Sequence, residues 1–411
     1  MRAAVLAIAL LSPESLWAAG FELSDQSVLA AGAGGTGVAR QGDSGAAWYN
    51  PAALADGRGL RAGVALFLAV PRLSASPATA GFTPSGQSTS NELGVATPFS
   101  AHLGWSRDRY ALGLYAGTSH GSSVVWPVGW WGRFDAQSSS VRVIRAAPSF
   151  AVRLGPVRLG VGVHIDYAVL ELERTLDFVD AEGSSHLRLS GMSAGGDASI
   201  YWQAMADLAF GLTYKSRTVM NLSGEATFKV PDSFSSRAPD QTITSNLILP
   251  DRLALGTAWS RGLLTLFADA TLTLWSVRDV VRIDFSSPAN KPLIEPQRWS
   301  ESFSLRVGLE ESVHPRVTLR GGIYYDQQAA PAETLAPSSP DMARFGLTVG
   351  GSLQLQRSLA VDLSYSLAIL LPRDSSSPDA IPASFSGQIH MIGIAFRAAQ
   401  ASPTSPNVVT R

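Results

Sequence analysis

The sequence predicts an all-β fold: a transmembrane antiparallel β-barrel of about fourteen strands, with an N-terminal hatch plugging its lumen. Three observations carry this. Segment after segment alternates apolar with small or polar residues at a period of two. The connections between these segments alternate between tight turns and long polar stretches. Mean hydropathy is +0.11, yet beyond the first residues no run approaches the ~20 apolar residues of a membrane helix. Only a barrel, in which every second residue faces lipid, reconciles these.

Residues 1–19 read as a secretory leader. Arg2 gives the positive start, Ala3 to Leu11 the apolar stretch, and Ala18 or Ala19 the last leader residue. Ser12-Pro13-Glu14 ends the apolar run too early for a membrane anchor. The 411 residues include no cysteine, which excludes disulfides, thiolate metal sites and cysteine nucleophiles.

Residues 20–58 form the expected hatch. Gly20 to Ala53 is rich in small residues and too poor in large apolar ones to offset an ordering cost of roughly 1–2 kcal/mol per residue. It is ordered only if something surrounds it. Gly32-Ala33-Gly34-Gly35-Thr36-Gly37 matches the dinucleotide fingerprint in form, but neither a preceding strand nor a βαβ unit frames it. Gly32, Gly35 and Gly37 are therefore assigned to tight turns and close packing on the barrel wall. Asn50-Pro51-Ala52 follows. Proline pushes the residue before it into extended backbone and offers no N–H. That makes a fixed corner between hatch and wall with Asn50 free to bond strand groups; an ordinary turn into the first strand accounts for the spacing alone.

Residues 59–397 supply the barrel. Val157, Leu159, Val161, Val163, Ile165 and Tyr167 alternate with Arg158, Gly160, Gly162, His164 and Asp166; comparable runs start at Phe303, Val317 and Leu359. Tight turns fall near 106–109, 155–156, 206–207, 261–262, 314–315 and 356–357. Long stretches lie near 72–92, 118–139, 174–186, 229–246, 286–298, 327–341 and 372–385. This is the asymmetry of a Gram-negative outer-membrane barrel, with short periplasmic turns and long extracellular loops. An even strand count returns both termini to the periplasm. The last strand ends at Phe396, and residues 398–411 read as a polar tail. A lumen this wide leaks unless filled, and Gly20 to Ala53 is the stretch available to fill it.

The candidate site residues follow. Trp126, Val128, Trp130, Trp131 and Phe134 crowd one extracellular loop, either as an apolar groove that captures substrate or as a girdle against lipopolysaccharide. Arg306, Arg320 and Arg344 point inward with Phe267 and Trp275. The arginines either meet a carboxylate or pair with inward Asp269, Glu310 and Asp362. The six histidines show no metal-ligand spacing, and a net charge of −1 gives no reason to expect nucleic acid. No cofactor or metal is expected.

The chain also resembles a known family, the outer-membrane long-chain fatty acid and hydrocarbon transporters of the FadL/TodX type. The resemblance starts at Gly20-Phe21-Glu22-Leu23 and runs through Gly32, Gly35 and Gly37 to Asn50-Pro51-Ala52. It resumes at Ala147-Pro148-Ser149-Phe150, Leu212-Thr213-Tyr214-Lys215, Leu249-Pro250-Asp251 and Trp275-Ser276. It is densest from Trp299 to Tyr365, with Leu319-Arg320-Gly321-Gly322-Ile323-Tyr324-Tyr325-Asp326 and Ser339-Pro340-Asp341. It implies a monomeric fourteen-strand barrel in contact with lipid and lipopolysaccharide. It implies passive transport of fatty acids or aromatic and aliphatic hydrocarbons: capture by extracellular loops, a lumen pocket, and lateral exit beside Asn50-Pro51-Ala52, with Phe21 in the gate. Two rival classes are an outer-membrane lipase or phospholipase, for which no G-x-S-x-G is present, and a structural or porin-like barrel.

Overall fold

The computed structural model describes residues 20–400, apart from 79–86, 93, 237, 289 and 378–380. The leader expected over 1–19 and nearly all of the polar tail lie outside the described residues.

Fourteen antiparallel strands form the wall. They are β1 (Gly59–Pro77), β2 (Phe99–Arg107), β3 (Tyr110–Val125), β4 (Ser138–Leu154), β5 (Val157–Asp177) and β6 (Glu182–Gln203). Four interrupted strands follow: β7 (Leu208–Lys215 and Thr218–Lys229), β8 (Gln241–Leu249 and Arg252–Arg261), β9 (Leu264–Thr273 and Val280–Phe285) and β10 (Leu293–Pro296 and Ser302–His314). The last are β11 (Val317–Asp326), β12 (Arg344–Gln356), β13 (Leu359–Asp374) and β14 (Ala383–Ala399). β14 pairs with β1 from Arg61↔Ala399 to Pro77↔Ala383, which closes the barrel and removes its edges.

The period-two pattern sets the two faces. In β10, Leu305, Val307 and Leu309 are exposed on the outer, lipid side, while Ser304, Arg306 and Gly308 are buried inside. The same alternation outlasts the membrane in one place. The stretch 174–186, expected as a long loop, is mostly strand: β5 and β6 run for 21 and 22 residues, and only 178–181 connect them. Leu170↔Leu189, Glu171↔Arg188 and Leu172↔Leu187 continue the ladder, so cross-strand pairs hold the hairpin together where composition alone suggested loop. β1 and β3 likewise extend to Pro77 and Val125, into stretches expected to be loop.

The ladder fails at one flank of β3. β2 and β3 pair from Arg107↔Tyr110 only as far as Ser100↔Gly117. A bulge at Thr118/His120 then turns β3 away, and it continues paired with β4. Among the described residues, Glu92 N–H donating to Val125 O at 2.8 Å is the bond that rejoins this edge to the chain before β2. The gap lies between 94–99 and Thr118–Val124.

Inside sits the hatch: α1 (Val28–Gly32), α2 (Ala46–Tyr49) and a 3-10 turn (Pro51–Asp56). Nearly every residue from Gln26 to Ala55 is buried; Gln41 and Gly42 are the exposed pair. The wall supplies the burial that the segment's own side chains cannot.

Candidate functional site

The hatch rests on glycines of the wall. A Cβ on Gly322 would stand 2.3 Å from Gly34 N, one on Gly308 2.1 Å from Ala33 O, and one on Gly350 2.9 Å from Gly32 Cα. Gly34 and Gly35 turn the chain with φ of 71° and 78°, a region that favours glycine. Gly32 and Gly37 serve close approach instead, Gly37 against the Tyr49 ring.

Charged side chains clamp this backbone. The Asp269 carboxylate accepts from Gly37 N–H at 2.7 Å and Val38 N–H at 3.0 Å. Arg306 donates to Gly34 O at 3.2 Å, Ser24 Oγ at 3.0 Å and Asp326 at 2.7 Å. Arg344 donates to the other oxygen of Asp326 at 2.8 Å. Arg320 and the hatch residue Arg40 share Glu310, at 2.5 and 2.7 Å. Phe267 lies beneath Arg40, 4.1 Å from ring centroid to guanidinium. The three inward arginines thus engage carboxylates, and Arg306 a hatch carbonyl as well. Removing one partner of such a buried pair costs about 3–5 kcal/mol, since the other charge is left uncompensated.

Asn50 is the second anchor. Its backbone is extended, with φ −159° and ψ 90°, as a residue before proline should be. Its amide donates to Val38 O at 2.8 Å and Ile200 O at 3.0 Å, tying two hatch strands of chain to β6. Ala52 N–H donates to Asn50 Oδ1 and to Ser199 Oγ, at 3.2 and 3.0 Å. The wall here is intact, with Leu159↔Ile200 and Ile200↔Leu212 paired on both sides.

At the extracellular end the hatch begins with a latch. Phe21 packs on Trp275, centroids 5.0 Å apart, and Trp275 on Trp299 at 5.1 Å. Trp275 is fully buried in the interruption of β9. Gly20 N–H donates to Asp341 at 3.3 Å, and the same carboxylate accepts from Ala329 and Ala330 N–H at 2.5 and 2.8 Å. Burial pushes the Asp341 carboxyl above the usual range, against the pull of these N–H donors. Phe21 and Leu23 also take up the free edge of β3: Leu23 N–H donates to Ser119 O at 3.0 Å, and Gly121 N–H to Phe21 O at 2.8 Å.

Behind this latch lies a cavity lined by Leu23, Asp25, Pro98, Tyr324, Arg344 and Met391, among others. Its volume is about 20 Å³, room for a water or so. It is apolar on the β14 side and charged on the β12 side, and Pro98 places it at the β2–β3 gap.

The tryptophan loop is arranged differently from an open groove. Trp126, Trp130 and Trp131 are 1%, 5% and 9% exposed; Trp130 stacks on Trp126 at 4.6 Å and meets Trp131 tilted at 4.9 Å, and all three pack with Leu335, Met342 and Phe385 into a dome. Trp126 and Trp130 donate their indole N–H groups to Pro337 O and Ala136 O. Val128 alone stands out, at 94% exposure, while Phe134 is half-buried under Arg133. The open apolar groove is elsewhere. Phe178, Phe228, Phe234, Phe285 and Leu293, each half-buried, converge from three extracellular hairpins around about 440 Å³. Single phenylalanines in polar loops gave no signal in sequence, because only the folded hairpins bring them together.

Comparison with known proteins agrees with this architecture. The family model described as outer membrane protein transport protein (OMPP1/FadL/TodX) matches residues 9–383. No curated protein matches at a significant level. A Pseudomonas aeruginosa FadL homologue of known structure superposes with a TM-score of 0.84 at 19% identity, covering 93% of this chain and 100% of its own. The P. putida toluene transporter TodX gives 0.76 at 17% identity, covering 95% and 100%. The Ralstonia pickettii toluene transporter TbuX gives 0.71 at 19%, covering 93% and 98%. The chain belongs to the OMPP1/FadL/TodX family of outer-membrane β-barrels, transporters of hydrophobic compounds and not enzymes.

Proposed function

We propose that this protein passes fatty acids or aromatic and aliphatic hydrocarbons passively from the cell exterior into the outer membrane itself. The substrate settles in the phenylalanine groove, moves beneath the tryptophan dome, and enters the cavity beside Leu23 as the Phe21 latch shifts. It leaves sideways through the β2–β3 gap. The observation that carries this reading is the coincidence of three features: a break in the wall, a cavity behind it that includes Pro98, and hatch residues occupying the free strand edge. A cavity of about 20 Å³ holds no hydrocarbon, so transport requires the hatch N-terminus to move. The exit expected beside Asn50-Pro51-Ala52 is placed here at β2–β3 instead, because Asn50 faces a paired stretch of wall. The protein acts as a monomer, with lipid and lipopolysaccharide around it.

Uptake of labelled substrate into cells that lack other routes tests the path. Pro98→Trp fills the cavity mouth and is expected to abolish most uptake without raising ion conductance; normal uptake in this variant would exclude the gap as the exit. Mass spectrometry of small molecules retained by the purified protein identifies the substrate class. Asn50→Ala leaves the Val38 and Ile200 carbonyls without this donor, at about 1–3 kcal/mol for each left unsatisfied. Uptake should fall several-fold while conductance stays low, and uptake equal to wild type would remove Asn50 from the mechanism.

A further inference from the structure

Four arginines gather at one side of the short-turn rim. Arg58 precedes β1, Arg107 and Arg109 flank the β2–β3 turn, and Arg153 lies near the end of β4. With Ser106, Asp108 and Tyr110 they line an open groove of about 710 Å³, and all four are exposed. Arg153 N–H donates to Arg109 O at 2.7 Å, which fixes these two side by side. One carboxylate, Asp108, lies among the four, 3.9 Å from Arg107 Nε. Arg153 also donates to the Asp108 carbonyl at 3.3 Å, and Arg109 lies 5.0 Å over the Tyr110 ring. The rim's other exposed arginines, Arg261, Arg316 and Arg357, come one to a turn.

Like charges gathered in one groove repel one another, so the groove is matched to an anion. Its depth says which. Tyr110 and Phe150 stack at 6.0 Å, both exposed to lipid, as are Trp105 and Trp202 near the same end of the barrel. Such aromatic residues mark the membrane–water interface, and the arginines lie just beyond them, at the level of lipid headgroups. Exposed Leu60 and Leu112 continue from the groove toward the membrane, a track for acyl chains. Guanidinium groups fork well onto phosphate oxygens. A free phosphate in so open a groove gains only screened attraction, whereas a lipid adds its buried chains.

We propose that this groove binds the phosphate headgroup of an anionic glycerophospholipid, of the phosphatidylglycerol kind, in the periplasmic leaflet. The proposal is independent of the substrate and of the exit path.

The test is native mass spectrometry of purified, delipidated protein titrated with phosphatidylglycerol, phosphatidylcholine or inorganic phosphate. Wild-type protein should retain phosphatidylglycerol in preference to phosphatidylcholine, and millimolar phosphate should not displace it. The triple variant Arg107→Gln, Arg109→Gln, Arg153→Gln should bind phosphatidylglycerol about tenfold more weakly, and the rim control Arg261→Gln, Arg316→Gln, Arg357→Gln no more than about twofold more weakly. Heat-modifiability on gels confirms that both variants fold. Equal loss in the two triples, equal retention of the two lipids, or displacement by phosphate would each overturn the proposal.

Discussion

Deletion of Gly20 to Ala53 should convert a closed protein into one with steady ion conductance. β1 pairs with β14 along the closing seam, so the barrel does not depend on the hatch for closure; the hatch takes up only the free edge of β3. What the hatch supplies is volume and counter-groups. Without it, Asp269 loses both N–H donors, Arg306 loses Gly34 O and Ser24, Glu310 loses Arg40, and Arg252 loses the Glu22 carboxylate 2.9 Å away. Groups that carry charge and lack partners hydrate, and a hydrated lumen of this width conducts. Planar-bilayer recordings of intact and deleted protein decide the matter. An intact protein conducting like an open porin, or a folded deletion variant that stays closed, would remove the plug.

Much of this arrangement was legible in the residues. The period-two pattern assigned Arg306, Arg320, Asp269 and Phe267 to the inner face, and each is buried there. The composition of Gly20 to Ala53 indicated a segment that needs walls, and Asn50 was recognisable as a group free to bond a strand. What pattern could not show is partnership. Asp269 read as one half of an ion pair, yet it binds two backbone N–H groups of the hatch, whose path no periodicity encodes. The β2–β3 gap is an absence of pairing, and no residue type announces an absence; the chain that fails to pair, ending at Pro98, lies just past the stretch 72–92 that reads as loop. The tryptophans misled for a related reason. An apolar loop in sequence looks exposed, but loops that fold over the barrel mouth bury one another, and Trp126 reaches Pro337 across the dome. The phenylalanine groove draws on three hairpins and existed for sequence reasoning only as isolated residues.

The glycines of the wall allow a sharper experiment than deletion. Gly322→Ala adds one methyl group on the inner face of β11, where its Cβ would stand 2.3 Å from Gly34 N and 2.6 Å from Ala33 C. Both obstacles are backbone, and Gly34 is already held by Thr348 Oγ1 at 2.8 Å, so no side chain can swing aside. Either the hatch lifts from its seat or the strand bends, at a cost of about 1–3 kcal/mol for overpacking. Gly321→Ala is the control. It lies next to Gly322 in the same strand, and its Cβ would meet nothing nearer than Thr348 O at 3.9 Å. If the seat is what keeps the lumen closed, Gly322→Ala should show a measurable leak and a lowered unfolding temperature, and Gly321→Ala should match wild type in both. A larger residue at 322, such as leucine, should widen the leak further, toward that of the deletion. A Gly322→Leu protein that stays closed and as heat-stable as wild type would mean that the hatch is held by its polar clamps alone, with the glycine contacts incidental.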